Sequence, residues 1–114
     1  MSMQPAARLD DLAPDAPVRV EVDGVPVCLV RIGDDVKAVH DTCSHQQWSL
    51  ADGMVWDNGV ECSKHGSTFD LDTGRPSSLP ARKPIPTFPV EVDGGQVHVD
   101  VHAPTNDAPF PEHG

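Results

Sequence analysis

VRVEVDGVPVCLVRIGDDVKAVH, residues 18–40, is the stretch that decides the fold. Val18, Val20 and Val22 alternate with charged residues, the period of a strand with one buried face. Asp23-Gly24 is a tight-hairpin signal. Val25–Ile32 is apolar at odd and even positions alike, which predicts a strand covered on both faces. Gly33-Asp34-Asp35 then turns the chain into a further strand over residues 36–39. Towards the C-terminus the pattern returns: Phe88, Val90 and Val92 alternate, Asp93-Gly94-Gly95 turns, and Val97, Val99 and Val101 alternate again. Abundant Val with 12 Pro and 9 Gly favours strands and turns over helices. With no Tyr, two Trp and three Phe, the core must be mostly aliphatic. The expected class is all-β, a small antiparallel β-sandwich carrying a loop-rich subdomain.

That subdomain lies between the two hairpins, at about residues 40–86. It is rich in Gly, Ser, Asp and Pro and has little periodicity, and a long irregular stretch inside a small domain is usually functional. It holds Cys43-Ser44-His45 and, sixteen residues later, Cys62-Ser63-Lys64-His65. Thiolate and imidazole are the side chains best suited to soft and borderline metals. Asp41-Thr42 before the first pair and Gly66-Ser67 after the second allow tight loops around a metal centre. Zinc also takes two Cys and two His, but its usual spacings pair Cys with Cys and His with His. One Cys and one His on each loop suits a binuclear iron centre whose two irons are treated differently. Spacing favours that centre and leaves zinc open.

Cys43-x-His45-x16-Cys62-x2-His65, followed by Gly66-Ser67-Thr68-Phe69-Asp70-Leu71-Asp72-Thr73-Gly74, resembles the Rieske ferredoxin motif. The likeness extends to Leu79-Pro80-Ala81 and the final hairpin, about residues 6–102. It implies the Rieske fold and one [2Fe–2S] cluster per chain, cycling by one electron. It places Cys43 and Cys62 on an inner iron, and His45 and His65 on an outer iron near the protein tip. It also implies that the proline-bearing segment with Pro76, Pro80, Pro84, Pro86 and Pro89 packs against the cluster loops. Neutral imidazoles in place of two thiolates raise the potential above that of all-Cys clusters. The respiratory branch of the family has an extra Cys on each loop, forming a disulfide; here Gln46-Gln47-Trp48 and Ser63-Lys64 stand in those regions. Where that branch has a Tyr that donates to a cysteine sulfur, this chain has Phe69. Ser67 remains as a donor. Fewer donors to sulfur predict a potential in the lower Rieske range, roughly −150 to 0 mV. Ser67, Trp48 and Phe69 are therefore expected around the cluster.

Other residues have plainer expectations. Cys28, amid Pro26-Val27-Cys28-Leu29-Val30, reads as a small core hydrophobe. Trp48, Leu50 and Met54 are expected to shield the centre rather than form a docking surface. His40 is expected as a solvated loop residue, and His98 and His102 as alternating residues of the last strand. Lys64, Arg75, Arg82 and Lys83 read as surface residues. Residues 104–114, with three prolines, are expected to be a disordered tail beyond a domain at 1–103.

The formal charge of −10, from 18 acidic and 8 basic residues, argues against nucleic acid and anionic membrane surfaces. It suits steering towards a basic docking patch. No run of 18 apolar residues spans a membrane and no basic-then-apolar leader is visible. An odd Cys count speaks against a disulfide framework and makes a reducing cytoplasm the expected setting; separately, a monomer is expected. The 114 residues leave no room for a second, mononuclear iron site, which excludes a free-standing oxygenase. The resemblance thus implies a soluble electron carrier, not an enzyme in itself. Its partners would be a flavin reductase and a terminal non-haem iron oxygenase. The alternatives are a ferredoxin serving SUF cluster-assembly proteins, a nitrite reductase small subunit, or a zinc-stabilised interaction module.

Overall fold

The structure is a computed structural model that describes residues 3–33, 35–42, 49–56, 58–61, 68–76, 84–106 and 108. The stretch 18–40 folds as its pattern predicts. β2 (Val18–Val22) and β3 (Val25–Ile32) form a hairpin around Asp23-Gly24, and β4 (Asp35–His40) returns along β3. β8 (Thr87–Phe88) completes a four-stranded sheet in the order β2-β3-β4-β8. β9 (Val90–Asp93) and β10 (Gln96–Val99) make the C-terminal hairpin, and β1 (Gln4–Arg8) adds to the outside of β10. β1 shows no alternation, so only its partner reveals it as a strand.

The third sheet lies in the segment expected to be irregular. β5 (Met54–Trp56), β6 (Gly59–Glu61) and β7 (Thr68–Asp70) form an antiparallel meander. Each is three residues long, too short to display a period.

β3 and β4 wall two separate cores. Val27, Leu29 and Ala38 face a basal core with Val22, Phe88, Val97 and Val99 from the other strands. Cys28, Val30 and Val39 face the opposite way, into a core with Leu50, Val60, Phe69, Leu71 and Ile85. The two-faced apolar character of β3 is therefore used in full: residues 26–30 are all buried. Burial also pushes the Cys28 thiol well above its ordinary range, with the nearby Asp41 carboxylate adding to the effect. Cys28 is a core residue, as expected.

One expectation fails towards the C-terminus. The last strand ends at Val99, and His102 lies in the following turn, where its Nε2 stands 3.0 Å from Asp23 Oδ2. The first residues of the 104–114 stretch bond back to the domain. Thr105 N–H donates to Thr87 O at 2.7 Å, and Asn106 Nδ2 donates to both Thr73 O and Ile85 O at 2.9 Å. Residues 109–114 lie outside the described residues.

Candidate metal centre

Cys43, His45, Trp48, Cys62, Lys64, His65 and Ser67 lie outside the described residues, as do Arg82 and Lys83. What the structure shows is the scaffold from which both motif segments spring. β4 runs through His40 into Asp41 and Thr42, and Thr42 bridges antiparallel to Ser49. The segment 43–48 is thereby closed at its base. Likewise Glu61, the last residue of β6, pairs with Thr68, the first of β7, and closes the segment 62–67. Two segments of equal length, each starting on a cysteine, are thus held by the same kind of antiparallel base.

The base of the first segment converges on Asp41. Its carbonyl accepts from Leu50 N–H at 2.6 Å, its Oδ1 accepts from Ala51 N–H at 2.9 Å, and its Oδ2 accepts from the Ser49 hydroxyl. Three successive residues at the exit of the segment are therefore bound to one residue at its entrance. Asp41 N–H in turn donates to Pro26 O on β3 at 3.0 Å. The side chain is 1% exposed, and the guanidinium of the half-exposed Arg19 stands 3.7 Å from Oδ2. Burial pushes the Asp41 carboxyl above the usual carboxylate range, while the Ser49 and Ala51 hydrogen bonds and Arg19 pull it down.

The two bases touch. After the 3-10 turn Leu50–Asp52, Gly53 lies so close to β6 that an added Cβ would stand 1.7 Å from the Glu61 carbonyl oxygen. Its φ of −94° is ordinary, so the demand for glycine comes from close approach and not from the backbone angle. Phe69 is fully buried on β7, paired with Val60 and bridged to Pro76. Part of the proline segment is anchored here too: His40 N–H donates to Pro86 O at 2.9 Å and Ile85 N–H to Gly74 O at 2.8 Å.

Two expectations about neighbouring residues need correction. His40 is no solvated loop residue; it ends β4, is fully buried, and its Nδ1 accepts from Thr42 N–H at 3.1 Å. That bond places the ring proton on Nε2. Leu50 is fully buried as a shielding residue should be, but Met54 is 66% exposed and shields nothing. Asp41 and Gly53 were not legible as site residues, because Asp before a loop and Gly after one both read as ordinary turn formers.

The donor set fits a binuclear iron–sulfur cluster: two thiolates and two imidazoles, divided evenly between two matched segments on adjoining bases. The model of the Rieske [2Fe–2S] domain family matches residues 2–89. The ferredoxin component of biphenyl 2,3-dioxygenase from Rhodococcus jostii (strain RHA1) is 40% identical over 91 residues, spanning 80% of this chain and 85% of that protein. The ferredoxin of carbazole 1,9a-dioxygenase from Nocardioides aromaticivorans IC177 superposes with a TM-score of 0.84 at 33% identity, over 98% of this chain and 100% of that one. A ferredoxin in a complex with the reduced oxygenase of carbazole 1,9a-dioxygenase gives a TM-score of 0.80 at 36% identity, over 85% of this chain and 100% of that one.

Proposed function

Since the chain belongs to the Rieske [2Fe–2S] domain family, we propose that it is the one-electron ferredoxin component of a non-haem iron oxygenase system, with its cluster on Cys43, His45, Cys62 and His65. The observation that carries this reading is the pair of matched, base-closed segments, each bearing one Cys and one His. When bound, the cluster takes up and releases one electron without bond chemistry on a substrate. Cys43 and Cys62 would hold one iron, and His45 and His65 the other. The protein is a carrier and not itself a catalyst. Its donor would be a flavin reductase and its acceptor a terminal oxygenase, the component with which a 36% identical ferredoxin forms a complex. A cytoplasmic monomer fits this role.

Purified protein should be red-brown and, after dithionite reduction, show an EPR signal with an average g below that of all-Cys clusters. Colourless protein with one zinc per chain would overturn the reading. Cys43→Ser should largely abolish the cluster, whereas His65→Cys should keep part of it at a lower potential. A redox titration should return a value of roughly −150 to 0 mV. Turnover of an aromatic-ring dioxygenase supplied with reductase and this protein, against none without it, tests the partner assignment.

A further inference from the structure

The segment 49–53 joins the two motif bases, although it holds no ligand itself. Ser49, Leu50 and Ala51 bond to Asp41, two residues before Cys43. Gly53 packs on the carbonyl of Glu61, the residue before Cys62. Between them, Leu50 is fully buried in the core that includes Cys28, Val30 and Phe69. One short segment is thus fastened to the entrance of each motif segment and to the floor between them.

We propose that residues 49–53 act as a brace that sets the spacing of the two ligand-bearing segments, with Asp41 and Gly53 as its positioning residues. This rests on the cluster-ligand reading above. Asp41 acts through its acceptors: two carboxylate oxygens and a carbonyl receive the exit of the first segment while its N–H holds it to β3. Gly53 acts through the absence of a side chain. Any Cβ there must push the Glu61 backbone away, and that displacement passes directly to Cys62. A cluster shared by both segments would register such a shift as changed iron–ligand geometry.

Four variants of the full chain test the brace, with Val97→Ala in the basal core as a control for general destabilisation. Gly53→Ala and Ser49→Ala replace no ionisable residue, and a shift in EPR g-values accompanying a shift in reduction potential reports geometry. Both should shift, Gly53→Ala the more. Asp41→Ala should raise hydrogen exchange at Ala51 N–H roughly tenfold, measured on the metal-free protein, and shorten the half-life of iron retention by a similar factor. Asp41→Asn keeps an acceptor for Ala51 N–H and should restore both. Unchanged potential and g-values in Gly53→Ala and Ser49→Ala, with only the loss of Tm seen in Val97→Ala, would overturn the brace. So would Asp41→Asn behaving as Asp41→Ala does. If Gly53→Ala or Asp41→Ala fails to fold, Ser49→Ala decides, since it loses a single hydrogen bond. Failure of the wild-type protein to take up iron would instead strike at the ligand reading, while the exchange measurement would still stand.

Discussion

Cys28 shows how burial decides what a chemically versatile residue does. Its thiol sits in an apolar wall beside a carboxylate, and both factors disfavour the thiolate, the only form that is nucleophilic. Iodoacetamide should therefore label Cys28 only after unfolding, which mass spectrometry of native and denatured protein would show. Cys28→Ser should lower stability by about 1–3 kcal/mol by burying a more polar group, yet leave the reduction potential unchanged. Phe69 offers the complementary case. Its ring is fully buried, and Phe69→Tyr would supply the hydroxyl that the respiratory branch uses towards a cysteine sulfur. A higher potential in a redox titration is the expected result; an unchanged potential with lower stability would mean that the hydroxyl finds no sulfur.

At the scale of elements, the legible parts of the chain were those with enough length to show a period. β2 and β3 announce themselves because Val18 to Val22 alternate and residues 25–30 are continuously apolar, with a glycine turn between. β1 and the β5–β6–β7 meander did not, since their partners and not their own side chains make them strands. The proposed ligand set rests on residue type and spacing alone, while the parts that would position it depend on contacts between distant residues. Gly74 belongs to that second kind. It has φ +73°, and an added Cβ would stand 2.0 Å from Ile85 O. Gly74→Ala should destabilise the protein by roughly 1–3 kcal/mol in urea melts, from both strain and clash. Asp72, in the turn after β7, reaches back to Lys37 of β4 at 2.7 Å. That bond holds the Asp72 carboxyl below its ordinary range, against a smaller opposing effect of burial. A lowered folded-state pKa contributes stability above the unfolded carboxylate value and loses it as pH falls. The pair is largely exposed, so Lys37→Met should lower stability by less than about 1 kcal/mol near pH 7, with the difference shrinking as pH falls below the ordinary carboxylate range.

For the molecule as a whole, the charge of −10 should show itself in rates. Electron transfer from the reduced protein to cytochrome c, a basic one-electron acceptor, should slow by roughly an order of magnitude as salt rises from low to high ionic strength. Stopped-flow traces at several salt concentrations would measure it, and a flat profile would remove steering from the account. The shared wall of β3 and β4 has a different consequence, one for protein engineering. The motif-bearing half looks like a cassette that might be lifted out at residues 41–86, but its floor is made of Cys28, Val30 and Val39, which such a cut leaves behind. Those strands in turn present Val27, Leu29 and Ala38 to the other half, so no boundary leaves two intact pieces. A graft of the metal-binding half onto a foreign scaffold would have to bring that hairpin along, and with it a second greasy face needing a new cover.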